Sequence, residues 1–197
     1  DVDNLQPSGF ASLDEVARAL QRLRKSGTQV VAFSQGMVAA QYLLAAQADE
    51  VYLDPDGYGV VLEGLSGHRP YMREGLEDKL GIDFQLFKVG EYKSAAEPFV
   101  RDSASPEAKE ADLYWMSDVW NRYLAEIATR RKIDVAKLNA DIDGMAAGIE
   151  AVQGDLNQFA LQQQLVDGLK TREELEKLLV ERGVADDKAD GGFRQIG

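Results

Sequence analysis

Gln29-Val30-Val31-Ala32-Phe33-Ser34-Gln35-Gly36-Met37-Val38-Ala39-Ala40-Gln41-Tyr42-Leu43-Leu44-Ala45-Ala46-Gln47-Ala48-Asp49-Glu50-Val51-Tyr52-Leu53-Asp54-Pro55-Asp56-Gly57 reads as strand, turn, helix, strand, turn. Residues 29–33 form a short apolar run rich in β-branched residues, as a buried strand requires. Met37–Ala46 is apolar enough for a buried helix. Glu50–Leu53 is a second strand, stopped by the turn residues Asp54-Pro55-Asp56-Gly57. No charge occurs between Lys25 and Asp49, a length nominally able to span a bilayer. Ser34, Gln35 and Gly36 interrupt it and Gln41 and Gln47 punctuate it, so a strand, a turn and a buried helix fit better than a membrane span.

Working outward, Ser12-Leu13-Asp14-Glu15 has the spacing of a capping box. It predicts a helix with Leu13, Val16, Leu20 and Leu23 on one face, ended by Gly27. Beyond Gly57, 58–65 reads as extended, 71–80 as helical before Gly81, and Asp83-Phe84-Gln85-Leu86-Phe87-Lys88-Val89 as a strand. Strands alternating with helices predict a parallel sheet in an α/β layer fold. From about residue 100 the pattern turns helical. Ser105-Pro106 places an N-cap before a proline at the first helical position, opening a long helix to about Arg131 with no clear strand after it. Helices are expected over 134–140 and 155–164, and Thr171-Arg172-Glu173-Glu174 is a second capping box opening a helix that Gly183 closes. The expected division is an α/β layer over 1–100, a helical appendage of the same domain over 101–184, and a polar linker over 185–197.

Composition narrows the chemistry. The 197 residues include 22 basic and 34 acidic side chains, a net charge of −12, one histidine and no cysteine, with 45% hydrophobic residues. Such a chain can bury a real core. Disulfides, thiol nucleophiles, cysteine-ligated metals and multi-histidine metal sites are excluded within the chain, leaving Ser, Lys, Asp, Glu and Tyr to carry any chemistry. No metal or cofactor is implied. An isoelectric point near 4.6 repels a phosphate backbone, so nucleic acid is not an expected partner. The absence of cysteine leaves the compartment open. Asp1-Val2-Asp3-Asn4 shows no targeting segment, and the chain is expected to be a piece of something longer.

Two places could carry chemistry. Ser34 stands between a strand and a helix, where a nucleophile elbow puts its serine. However, Ala32 replaces the elbow glycine and His68, the lone histidine, has no evident carboxylate partner, so a turn serine capping the next helix is the preferred reading. The second place is Lys88-Val89-Gly90-Glu91-Tyr92-Lys93-Ser94-Ala95-Ala96-Glu97-Pro98-Phe99, a loop leaving an apolar run. A lysine in apolar surroundings can lose its proton and act as base for a serine hydroxyl without any histidine. On composition alone, Lys93 is by default a surface lysine.

The run from Lys88 to Pro106 and on to Ala108, with Tyr92-Lys93-Ser94-Ala95-Ala96-Glu97-Pro98-Phe99, Arg101-Asp102 and Ser105-Pro106-Glu107-Ala108, resembles the signal peptide peptidase A family, also called protease IV. Tyr42–Pro55 is similar to that family's helix–strand unit, and Trp115–Tyr123 to the aromatic pattern of its long helix. The resemblance covers nearly the whole chain and points to the N-terminal half of the long, two-half form. It implies a crotonase/Clp-protease-like fold lacking its first strand, and a membrane-associated serine endopeptidase that degrades cleaved signal peptides through a Ser-Lys dyad. Lys93 matches the general base, with Ser94 and Glu97 orienting its loop and Tyr92 packing. The nucleophile of the family belongs to a C-terminal half, the matching place here lies near Ala39, which has no hydroxyl, and Gly36-Met37-Val38-Ala39-Ala40 has one glycine where an oxyanion hole needs more. The fragment alone is therefore expected to be inactive. The implied partners are the serine-bearing C-terminal half, reached through Phe193-Arg194-Gln195-Ile196, further copies in a homo-oligomer, a tetramer of the intact protein, and apolar signal peptides. The implied place is the periplasmic face of the bacterial inner membrane, with the anchor upstream. Two other readings stand beside this one: a non-catalytic assembly half, and a crotonase-type acyl-thioester enzyme, since one fold supports several chemistries.

Overall fold

Val31–Ser34 (β1) and Glu50–Leu53 (β3) pair in parallel, Val31 opposite Glu50 and Ser34 opposite Leu53. Both strands are buried on both faces, as near-continuous apolar strands of a parallel sheet are. The computed structural model describes residues 1–5, 9–183 and 188. The linker expected over 185–197 lies, apart from Lys188, outside the described residues. The chain divides into two compact units, 1–63 with 124–197, and 64–123.

In the first unit, Phe10–Lys25 (α1) precedes β1, and Gly36–Val38 (β2), Ala39–Ala45 (α2) and Gly59–Val61 (β4) complete the α/β layer. The sheets are β1-β3-β5 and β2-β4, all parallel, with β5 at Gly168–Leu169. Helix and parallel sheet therefore alternate as the sequence predicts. From the later sequence come the end of Pro106–Arg131 (α4), then Val135–Asp143 (α5), Met145–Ala151 (α6), Leu156–Gln162 (α7) and Arg172–Arg182 (α8). The core is built from Tyr42, Leu44, Val51, Leu53, Leu124, Ile127, Leu138 and Phe159. Burying each such aliphatic side chain contributes roughly 2 kcal/mol.

Several local expectations need correction. The first helix begins at Phe10 behind Gly9, which makes no side-chain cap. Ser12 thus lies inside the helix, the box is not formed, and Leu13 and Ala17 are buried while Val16 and Leu23 are exposed. Met37 and Val38 are strand rather than helix. Gln35 O accepts the Tyr58 amide at 2.8 Å, and the Tyr58 ring occupies the place where a Cβ on Gly36 would sit, so glycine lets β2 and β4 close up. The helix expected over 71–80 is a π-helix, Glu74–Lys79. Residues 83–89 form no strand: in the described structure they have no ladder partner and are exposed. One strand does follow the long helix, β5, which joins β3 through Asp167 N to Val51 O and Lys170 N to Leu53 O. By contrast, α4 starts at Pro106 with Ser105 Oγ accepting from the Ala108 amide at 3.1 Å. The Thr171 box forms as expected, Thr171 Oγ1 accepting from Glu174 N and Glu174 accepting from Thr171 N.

Within residues 64–123 the π-helix is followed by an irregular run to Val89, the one-turn helix Glu97–Val100 (α3) and the first part of α4. Met72 N donates to Pro98 O at 2.7 Å, Arg73 pairs with Asp102 at 2.6 Å, and Phe84 stacks on Phe99 at 5.4 Å.

Candidate functional site

Lys93 lies on the loop between the apolar run and α3. Gly90 opens the turn with φ +101°, a region that strains any side-chain-bearing residue, and its carbonyl accepts from Lys93 N at 3.4 Å. Lys88 Nζ reaches Glu91 O at 3.5 Å. Tyr92 is exposed, not packed, and its hydroxyl donates to Glu110 on α4 at 3.1 Å. That carboxylate raises the Tyr92 pKa above its ordinary value. The Lys93 side chain is itself exposed, and among the described residues no carboxylate stands within 4.0 Å of its ammonium. Glu91 and Glu97, the neighbours able to neutralise it, do not pair with it.

Glu97 is instead buried, 2% exposed. Its carboxylate accepts from Ser105 Oγ at 2.5 Å and from Ser105 N at 3.0 Å. These bonds, the hydroxyl first and the amide second, outweigh burial and hold its pKa below the usual carboxylate range, with Arg101 and Lys88 adding attraction. Ser94 is half-buried and its carbonyl accepts from Glu97 N at 3.0 Å. Thus Lys93 and Ser94 share one loop whose far end is tied down by Glu97, the first residue of α3, and whose lysine is open.

The other candidates have different surroundings. Ser34 is fully buried at the end of β1, contacts the Asp3 carboxylate, bonds Gly36 O at 2.7 Å and accepts from Gly36 N at 3.1 Å. A strand follows it rather than a helix, so it is neither an elbow nor a helix cap. Asp3, which also accepts from Gln35 N at 2.9 Å, is its partner; a 31-residue separation hides that pairing from sequence reading. The amides after it are engaged too, Gly36 N by Ser34 Oγ and Val38 N by Gln41 Oε1 at 3.0 Å. His68 is exposed and lines a cavity of about 420 Å³ with Arg69, Tyr71, Asp112 and Trp115. The Asp112 carboxylate there is shared by Arg69 and Trp115 Nε1, each at 3.3 Å. Ala39 is the first residue of α2 and offers no hydroxyl. Ser105, the residue that fixes Glu97, is recognisable in the sequence only as a helix cap. Among the described residues no group of three or more acidic or histidine side chains could hold a metal ion. No described helix is long and apolar enough to cross a membrane.

The chain thus combines a parallel α/β layer with an open loop lysine. The model for peptidase family S49 matches residues 22–184, and the chain belongs to that family. It is 34% identical over 196 residues to Protease 4 of Salmonella typhi, covering all of this chain and 31% of that protein. It is 34% identical over 179 residues to Protease 4 of Haemophilus influenzae (strain ATCC 51907 / DSM 11121 / KW20 / Rd), covering 91% of this chain and 29% of that protein. A more distant similarity, 27% over 116 residues, links 59% of the chain to 17% of a chloroplastic serine protease SPPA of Arabidopsis thaliana. The chain therefore spans about a third of the length of the two Protease 4 relatives.

Proposed function

We propose that this chain is the N-terminal half of a membrane-associated serine endopeptidase with a crotonase-like fold, in which Lys93 is the general base of a Ser-Lys dyad completed by a serine on a C-terminal half. The observation that carries the reading is the Lys93 side chain: exposed, unpaired with Glu91 or Glu97, and set on an anchored loop in a chain of family S49. When further chain covers the loop, the Lys93 amine is taken out of water, the setting in which a lysine serves as a base. That amine takes the serine proton as the hydroxyl attacks a peptide carbonyl, and returns it to the leaving amine. Ser94 and Glu97 orient the loop.

The apolar side chains around it support a covering partner. Phe87 is 92% exposed and Val89 84%, with Leu80, Ile82, Phe84 and Leu86 also open, a run of exposed apolar side chains that a binding partner would cover. The C-terminal half and further copies, four in the assembled protein, are the proposed cover. Cleaved apolar signal peptides at the periplasmic face of the inner membrane are the proposed substrate. An assembly-only role would leave Lys93 in a structural ion pair, which it does not make. An acyl-thioester enzyme needs paired free amides, and those of Gly36 and Val38 are engaged. The test is Lys93→Ala in a protein of Protease 4 length carrying this chain, assayed on a fluorogenic apolar peptide. Loss of a general base predicts a fall in kcat of about 10³-fold. Full activity in the variant refutes the assignment.

A further inference from the structure

Between residues 81 and 104 every residue is exposed or half-buried except one, and that one is a carboxylate, Glu97. A loop is normally pinned by an apolar side chain, because burying a charge is costly unless it is hydrogen-bonded. Here the anchor is polar. Glu97 accepts from both Ser105 Oγ and Ser105 N, at 2.5 and 3.0 Å, and Ser105 is 4% exposed. The same Ser105 Oγ accepts from Ala108 N at 3.1 Å as the cap of α4. One hydroxyl thus joins the first residue of α3, where the Lys93 loop ends, to the start of a 26-residue helix. Charge-assisted bonds of this kind fix direction as well as distance, and the positive end of the helix favours the carboxylate beside it. An apolar contact would hold the loop near α4 without setting its orientation. The ties of Pro98, Phe99 and Asp102 to Met72, Phe84 and Arg73 hold the other side of the segment but do not reach α4. The bond of Tyr92 to Glu110 does reach α4, but it is exposed to water, whereas the Glu97 tie is buried.

We propose that Ser105 is a positioning residue for the base: acting through Glu97, it latches the Lys93 loop to the N-terminus of α4 so that the amine is presented in one orientation. The inference rests on Lys93 being the base, and the test separates the two. In a protein of Protease 4 length carrying this chain, kcat and KM on a fluorogenic apolar peptide are measured for Lys93→Ala, Ser105→Ala, Glu97→Ala, the Ser105→Ala/Glu97→Ala double variant and Ser105→Thr. Emission from Trp115 and Trp120, read on the same variants of the 197-residue chain, shows whether residues 64–123 stay folded. Misplacing a reacting group by about 1 Å costs as much as ~10²-fold, so Ser105→Ala and Glu97→Ala should each lower kcat by that order with KM little changed. Because both break one latch, the double variant should be no worse than either single one. Ser105→Thr keeps the hydroxyl and should restore most of the rate.

Additive losses or a rise in KM alone would make Ser105 merely a helix cap, and loss of the rate in Ser105→Thr would show that the hydroxyl is not what matters; each overturns the proposal. If Ser105→Ala unfolds the region, Glu97→Ala, which leaves the cap intact, decides between latch and cap. Full activity in Lys93→Ala would bring down the base assignment and the latch with it. Loss of activity in Lys93→Ala with unaltered rates in Ser105→Ala and Glu97→Ala would leave the base standing and refute the latch alone.

Discussion

Among residues 64–123 the buried side chains are Glu97, Ser105, Ala108 and Tyr123, whereas β3 alone buries Val51, Tyr52 and Leu53 in the other unit. The first unit satisfies its backbone in parallel ladders and closes an apolar core over them. The second leaves Ile82, Phe84, Leu86, Phe87 and Val89 open and gives one of its best-buried positions to a carboxylate. Stability and presentation of the candidate base are thus divided between two stretches of one chain. Function is expected in the stretch that does not finish its own core, since binding and catalytic segments are drawn from the less stable parts of a fold.

That contrast can be broken by mutation. The largest effect should come from Ile127→Ala in the finished core: Ile127 is wholly buried, and a large-to-small change there costs about 2–5 kcal/mol, read from chemical denaturation followed by circular dichroism. Next, Glu97→Gln should lower the stability of residues 64–123 by roughly 1–3 kcal/mol near neutral pH, read from tryptophan emission, since both tryptophans, Trp115 and Trp120, lie in that stretch. The pH dependence has a defined sign. The native Glu97 carboxyl is held below its ordinary value by Ser105, so its contribution is complete above the ordinary glutamate pKa of about 4.3 and is lost as pH falls through the lowered native value. In Glu97→Gln the acid limb of the tryptophan transition should be correspondingly flatter; an unchanged limb would show that another group governs it. Thr171→Ala removes the α8 cap and should cost about 1 kcal/mol, detected by denaturation of the first unit. The smallest effect belongs to Phe87→Ser, within about 0.5 kcal/mol in the isolated chain because the ring buries almost nothing there. A large loss would mean that the second unit does have a core at Phe87.

The alternation of 29–57 is readable because buried parallel strands are short apolar runs bounded by turn residues, and β3 falls on Glu50–Leu53 as predicted. The caps at Ser105 and Thr171 are equally legible, each depending on residues three positions apart. What the sequence conceals is decided at a distance. Val31 and Met37 lie in similar apolar company, but only the approach of Tyr58 to Gly36 makes the second a strand. Gly148 stands within α6, where a helix-breaking residue argues against a helix; the Phe159 ring, packed where its Cβ would be, explains why glycine is there. Asp83–Val89 has the composition of a strand and no neighbour to pair with, so propensity alone misplaces it. At the candidate site, the Tyr-Lys-Ser run is recognisable by resemblance, but the burial of Glu97 against Ser105 and the engagement of Ser34 by Asp3 depend on contacts that no local pattern records.

If this chain presents a base whose nucleophile lies elsewhere, the most direct test is cleavage of a fluorogenic apolar peptide by the chain alone and by a protein of Protease 4 length carrying it. Turnover is expected from the longer protein and none from the chain alone. Turnover by the chain alone would place the nucleophile within these 197 residues and contradict the divided dyad.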